Sequence, residues 1–424
     1  MNVGMLLIIL LLVLAFLGVP IFFSLGIATL TAILVGDMPM LVLPQKMYTG
    51  MDSVPLLAIP FFLLAGNLMS RGITEKILNL SNALLGPVKG SLGVVTAFAS
   101  AIFAAISGSG VATVSAIGGI TIPAMKKEGY PKDFAASIAA ISSILGPLIP
   151  PSIFLIVYGS STETSIAQLF LGAVLPGLFL AGVLIMYVLL YARKRNFPVH
   201  EKVSGRQLLH VVKDSSFAIF MPVLILGGIF LGIFTATEAA AVSAAYAAIV
   251  SLFIYKDIEP SDMPRILFDS AITTATVLLL LALSKVSSWV IVTSHLPAVI
   301  LGAFKAFTSS PTVILLMLNV LLLIVGMLME GTSAIVMLTP LIIPLLREFH
   351  IPVLHFGVVM AFNLCIGLVT PPVGSCLLLA NEIAQEKLDR TFKMSLVPIF
   401  LSIGVLLIVT YVPAFTMWLP GFMK

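Results

Sequence analysis

The chain has 424 residues, of which 60% are hydrophobic and 9% charged, with a formal net charge of +4. A soluble globular protein carries roughly 25% charged residues, so this composition excludes an aqueous surface over most of the chain. The small positive excess lies between apolar runs, which points to membrane topology rather than to nucleic-acid binding.

In lipid only helices and closed barrels satisfy the backbone. The apolar runs are long and do not alternate, so the fold class is an all-α polytopic membrane protein. The first run, Gly4–Gly18, has no charged leader and no A-x-A-like cleavage site, and reads as a span rather than a signal peptide. Pro20–Gly36 and Val54–Ser70 follow. Leu92–Met125 is long enough for two half-passes and is interrupted by small and polar residues, so it reads as a re-entrant helical hairpin. Pro131–Tyr158 and Ile166–Tyr191 complete the first half, residues 1–195. The polar stretch Asn196–Ser216 reads as the main cytoplasmic linker. The second half, 217–424, brings Phe217–Phe234, Glu238–Tyr255, an interfacial helix at Ile258–Phe268 and Ile272–Val292. A second hairpin at Thr312–Leu346, then Leu354–Leu379 and Phe392–Tyr411, close the chain. The expectation is about ten transmembrane helices plus two re-entrant hairpins.

The basic residues orient this arrangement. Suppose that the N-terminus is outside and each hairpin returns to its starting side. Of the 22 Lys and Arg, Lys46, Lys305, Arg347 and Lys424 then fall outside, Lys285 lies in a span, and the remaining seventeen fall inside. Both termini are accordingly expected on the outer face.

Two segments repeat at a constant offset of 221 residues. Ile122–Pro151 aligns without a gap on Ile343–Pro372, placing Pro123 on Pro344, Pro131 on Pro352 and Gly146 on Gly367. Pro150 and Pro151 fall on Pro371 and Pro372. A weaker echo pairs Phe16–Pro20 with Phe230–Phe234. The charge count puts Lys126–Lys132 inside and Arg347 outside, so the copies are inverted. Inverted repeats with paired Gly/Pro breaks point to the binding site of a secondary transporter, because a broken helix frees carbonyls and exposes helix N-termini.

Four pieces are therefore expected to converge. They are the tip Ser107-Gly108-Ser109-Gly110 with Thr113 and Ser115, the tip Glu330-Gly331-Thr332-Ser333, and the breaks Gly146–Ser152 and Gly367–Gly374. Ser107, Ser109, Ser152, Glu330 and Thr332 are the candidate substrate ligands. Ser107, Gly108, Ser109, Gly146, Gly331, Ser333, Gly367, Thr370 and Gly374 are the candidate Na+ site, since hydroxyls and carbonyls are hard oxygen ligands. Small residues also serve plain helix packing, so the matched pair of breaks carries more than any one of them. Glu330 is an ionisable group within an apolar region and thus a functional candidate, with a salt bridge to Lys285 as the plainer alternative. Glu238 is expected to cap its helix, Glu163 to be solvated in an outer loop, and Asn67 and Asn363 to bond between helices. Cys365 and Cys376 read as small buried hydrophobes, and the five histidines form no cluster.

Ile106–Ala112, the IPAMKKEGYP stretch, GPLIPPS at Gly146–Ser152 and GLVTPPVG at Gly367–Gly374 resemble the large membrane subunit of the tripartite ATP-independent periplasmic (TRAP) transporters. Phe16–Gly26 and Ile59–Gly72 extend the resemblance over essentially the whole chain. It implies a bacterial inner-membrane secondary transporter that imports an organic acid, such as a C4-dicarboxylate or sialic acid, with about two Na+ ions and no organic cofactor. It also implies a periplasmic binding protein, a small membrane subunit as a separate chain, and an elevator motion. The mobile part would hold Leu92–Tyr158 and Thr312–Leu379. No buried arginine marks a carboxylate clamp, so the acid itself stays open. A stand-alone anion transporter and a channel are the alternatives. Paired carboxylates, zinc-binding histidines, a G-x-S-x-G elbow and a phosphate-binding loop are all lacking, which disfavours an enzyme or an ATP-driven pump.

Overall fold

The computed structural model describes residues 2–70, 72–195, 197–199 and 202–423. Arg71, His200, Lys424 and the first linker residue, Asn196, lie outside the described residues. The described chain is helical throughout, without a β-strand. Among the described residues, eight helices are long and apolar enough to cross a membrane, or nine with one bent pair counted as a span.

The first half begins with α1 (Val3–Phe16) and α2 (Ile21–Val35). At 14 and 15 residues these cover only about 21–23 Å, less than the roughly 30 Å of a hydrocarbon core. Next come α3 (Val42–Met51) and, after a 3-10 turn at Val54–Leu57, α4 (Ala58–Met69). The sequence reading placed one span at Val54–Ser70 and missed α3. The two meet at a bend of 62° at Asp52-Ser53, beside Pro55, which cannot continue a helix from upstream. The amphipathic α5 (Ile73–Leu85) was also missed, because its polar stripe breaks up the apolar run.

The first hairpin is α6 (Ser91–Ser107), then α7 (Gly110–Thr113), a π-helical turn at Val114–Gly118, and α8 (Gly119–Lys127). The broken span is α9 (Lys132–Ser142), α10 (Leu145–Leu148) and α11 (Ile153–Thr162), and α12 (Ile166–Arg193) closes the half.

The second half starts earlier than expected. The helix α13 (Gly205–Phe230) occupies much of the stretch read as a cytoplasmic linker, because Ser204 and Gln207 form a capping box that starts it there. Next is α14 (Ala236–Ile249), extended by a π-helical turn at Val250–Tyr255. Ile258–Phe268 is not a separate interfacial helix. A 3-10 turn at Pro260–Asp262 leads straight into α15 (Met263–Thr293), 31 residues long. Pro264 sits in its first turn, where a missing N–H costs nothing. After α16 (Leu296–Phe307) come the second hairpin, α17 (Pro311–Leu328) and α18 (Gly331–Glu348), and the second broken span, α19 (Val353–Gly367) and α20 (Ser375–Ala384). The chain ends on α21 (Leu388–Tyr411) and the short α22 (Ala414–Met417).

The repeat holds element by element. Shifted by 221, the arm 91–107 falls on 312–328 and the arm 110–127 on 331–348. The bent pair α3–α4 falls on the unbroken α15, and α5 on α16. The cis peptides Pro150-Pro151 and Pro371-Pro372 occupy equivalent positions. The echo at Phe16 and Phe230 marks equivalent turns, each closed by a left-handed glycine, Gly18 (φ 81°) and Gly232 (φ 69°).

Packing divides the helices into two bundles. The helices α1–α4 and α13–α15 form one, and α6–α12 with α17–α22 form the other, the two meeting directly where α18 packs on α15 and α6 on α4. The arms α5 and α16 bridge them, α5 from α13 to α6 and α16 from α15 to α18. Polar pairs tie helices together as expected. Asn67 Nδ2 donates to Ser270 Oγ at 2.8 Å, and Asn363 Nδ2 to Asn319 Oδ1 at 2.9 Å. Glu238 caps α14 in a box with Thr235, Glu163 is exposed, and both cysteines are buried.

Close approach at Gly367 sets the α17–α19 crossing, since a Cβ there would run into the Gly326 carbonyl. Gly367→Ala should cost about 1–3 kcal/mol and lower the thermal unfolding midpoint in detergent. Gly227→Ala, where a Cβ meets nothing within 4 Å, should leave that midpoint unchanged.

Candidate functional site

The residue that begins each returning hairpin arm is a helix N-cap. Ser109 caps α7, its Oγ accepting from Ala112 N at 3.3 Å. Glu330 caps α18, its Oε2 accepting from Ser333 N at 3.1 Å. These are equivalent positions, and so are the two donors, 221 residues apart. Capping satisfies an amide that has no partner within the helix. A serine does so without charge, whereas a glutamate brings an anion to the positive end of the helix. Glu330 also accepts from Thr332 Oγ1 at 2.8 Å through Oε1, while Thr332 and Ser333 are buried and Glu330 is exposed. Lys285 is not its partner. That lysine packs its stem on Gly50 of α3.

The first tip is held by its own hydroxyls. Thr113 Oγ1 donates to the Ser109 carbonyl at 2.8 Å, and Ser107 Oγ lies 3.5 Å from both Thr113 Oγ1 and Ser109 N. Gly108 is left-handed (φ 61°), and its Cα faces the Pro151 carbonyl so closely that no Cβ fits. A Cβ on Gly146 would lie 2.6 Å from the Ser109 carbonyl carbon. A Cβ on Gly110 would lie 3.0 Å from Cys376 Sγ and 3.2 Å from the Ser143 carbonyl. At the second tip, a Cβ on Gly331 would strike the Phe154 ring of α11. The tip of the first hairpin thus seats on both broken spans, and that of the second on the first broken span.

The breaks are satisfied locally. Ser152 caps α11 through Leu155 N at 3.3 Å and donates its hydroxyl to the Pro147 carbonyl. In the second copy, Cys376 N donates to the Leu368 carbonyl at 2.9 Å, and Val373 N to the Met327 carbonyl at 3.2 Å. Thr370 Oγ1 donates to the Ile366 carbonyl at 2.8 Å.

Between the tips and the other bundle lies a cleft of about 610 Å³. Gly108, Ser109, Gly110, Glu330, Thr332 and Ser333 line one wall. Thr273 and Thr276 of α15 face them, beside Pro20–Phe22 at the start of α2. The sequence reading named the hairpin wall and missed the opposite one, because Thr273 and Thr276 sit in an ordinary apolar helix with no break to mark them. No Lys or Arg is among the described residues lining the cleft. Of the predicted site residues, Ser152 is fully buried with its hydroxyl spent on Pro147, away from the cleft. Ser107, Gly146, Gly331, Gly367, Thr370 and Gly374 lie behind the lining rather than in it.

Comparison with known proteins identifies this architecture. The sequence profile of the tripartite ATP-independent periplasmic transporter, DctM component, matches residues 8–415. The chain belongs to that family. It is a transporter permease and not an enzyme. It is 41% identical over 409 residues to the isethionate TRAP transporter permease protein DctMQ of Oleidesulfovibrio alaskensis, covering 95% of this chain and 64% of that protein. It is 38% identical to the C4-dicarboxylate TRAP transporter large permease protein DctM of Pseudomonas aeruginosa, covering 94% of each. It is 37% identical to the sialic acid TRAP transporter large permease protein SiaM of Vibrio cholerae, covering 96% of each. Among solved structures, the Alcanivorax borkumensis YdaH transporter aligns with a TM-score of 0.57 at 15% identity, covering 93% of this chain and 88% of that one. That likeness is one of fold alone.

If Glu330 holds the N-terminus of α18, Glu330→Ala should cost the permease about 1 kcal/mol locally. Hydrogen exchange at the amides of residues 332–334 should then rise roughly fivefold, with exchange in α13 unchanged.

Proposed function

We propose that this permease imports a small organic acid across the inner membrane, driven by Na+ and by an elevator motion of one bundle against the other. The observation that carries this reading is the cleft, in which both hairpin tips present capped helix N-termini toward a wall formed by the opposite bundle. An anion without an arginine clamp can be held by helix N-termini and hydroxyls, and the Ser109–Gly110 tip offers both without a competing charge. The relatives named for isethionate, C4-dicarboxylate and sialic acid make a carboxylate or a similar oxyanion the expected cargo.

About two Na+ ions would sit at the tips and breaks, partly behind the cleft wall and partly sharing its residues Gly108, Ser109 and Ser333. Ser107, Gly108, Ser109 and Gly146 supply hydroxyls and carbonyls for the first. Gly331, Ser333, Gly367, Thr370 and Gly374 supply them for the second. Binding there would draw tip and break together and complete the wall that meets the acid, which couples the ion to the substrate. The moving unit would hold α6–α12 and α17–α22, larger than the two segments expected from sequence, because α12 and α21 pack with the broken spans. The arms α5 and α16 would be its hinges. A periplasmic binding protein would deliver the acid, and a separate small membrane subunit would brace the other bundle in the bilayer.

Uptake into vesicles holding the permease, its small subunit and its binding protein should require an inward Na+ gradient. Equal uptake without any cation gradient would reject the coupling. Ser107→Ala should raise the half-saturating Na+ concentration roughly tenfold with assembly unchanged. Glu330→Gln should lower the uptake rate while the complex still assembles, and normal kinetics in that variant would remove Glu330 from the site.

A further inference from the structure

A second cleft, of about 580 Å³, opens at the basic end of α12 and α21 and shares no lining residue with the first. Its walls grade in polarity in the same direction. On α12, Tyr187, Leu190, Tyr191 and Lys194 recur at helical spacing on one face. On α21, Arg390, Lys393, Met394 and Val397 do the same. Each stripe is thus cationic at the end of its helix and apolar farther into the bundle. The apolar part is open to the bilayer, since Leu190 is 52% and Val397 56% exposed.

The cleft is built rather than incidental. The Phe134 and Tyr191 rings stack at 4.5 Å with 4° between their planes, holding α9 against the end of α12. Ser395 Oγ donates to Ser137 Oγ at 2.9 Å, holding α21 against α9. Three cations face one lining carboxylate, Asp133, which already accepts from Phe134 N at 2.8 Å. Arg390 is partly engaged with Glu386 at 3.7 Å, which leaves Lys194 and Lys393 as the freer cations.

We propose that this cleft binds one anionic phospholipid of the leaflet that the basic end of the bundle faces. The phosphate would lie among Lys194, Arg390 and Lys393, and an acyl chain along Leu190, Met394 and Val397. A phosphate diester needs cations and hydrogen-bond donors, and its chains need apolar surface continuous with the membrane. Basic pockets between transmembrane helices recognise anionic lipid headgroups in this way. A free phosphate would use the first feature and leave the second unexplained. The distribution of Lys and Arg makes this the inner leaflet.

Native mass spectrometry of the detergent-solubilised permease tests this, with phosphatidylglycerol and phosphatidylcholine of matched chains as probes. The expected result is one phosphatidylglycerol retained in preference to phosphatidylcholine, unaffected by 10 mM inorganic phosphate (about the concentration of a common buffer). Lys194→Gln/Lys393→Gln should weaken retention roughly 25-fold, about fivefold for each charge removed. Arg265→Gln, a basic residue on α15 outside this cleft, should leave it unchanged. Equal retention of both lipids, displacement by inorganic phosphate, undiminished retention in the double variant or equal loss in Arg265→Gln would each overturn the proposal.

Discussion

A helix broken at membrane depth leaves amides and carbonyls that no water can reach, and such a break persists only where protein supplies partners for it. This chain has two such breaks, at Gly146–Ser152 and Gly367–Gly374, and covers them with its own side chains, backbone and hairpin tips. Ser152 returns its hydroxyl to the Pro147 carbonyl. Val373 N reaches the Met327 carbonyl at the end of a hairpin arm. Gly108 and Gly110 bring the first tip into contact with both breaks. The approaches at Gly108 and Gly110 leave little or no room for a Cβ, which explains why glycine gathers at the first tip.

The same constraint shapes the site. Once the tips are seated, their capped N-termini are the polar groups left facing open space, and the cleft forms where they look across at α15 and α2. The tips are equivalent in backbone but unlike in charge. Ser109 leaves the first N-terminus free to attract an anion, while Glu330 spends the second on its own carboxylate. The cleft is therefore polarised, with its more positive end at the first hairpin. The repeat gives both tips the same backbone frame, and the unlike residues at one pair of equivalent positions give the cleft a direction.

The two halves diverge elsewhere for reasons of the same kind. The helix pair bent by 62° at Asp52-Ser53 corresponds to the straight α15, so one half presents a kink where the other presents a continuous wall with Thr273 and Thr276 toward the cleft. At the far end of the bundle, aromatic stacking of Tyr191 on Phe134 and the Ser395–Ser137 hydrogen bond fix the ends of three helices. Lys194, Arg390 and Lys393 line the cleft at those helix ends.

The residue pattern by itself determined the membrane class, the repeat at 221, both hairpins and both breaks. Each rests on a local rule: apolar length, proline and glycine geometry, or the placement of charge. It also marked Ser109, Glu330, Thr332 and Ser333, since polar residues are conspicuous in an apolar run. What it could not show was anything set by contact between distant segments. The amphipathic α3 and α5 escaped notice because their polar faces mimic loops, and the apolar α16 because its 12 residues are too few for a span. Thr273 and Thr276 became part of the cleft only because α15 lies opposite the tips. Ser152 looked like a ligand until its hydroxyl was seen to bond to Pro147. The division of the helices into two bundles likewise depended on tertiary packing, because nothing along the chain states which of its apolar faces meet protein and which meet lipid.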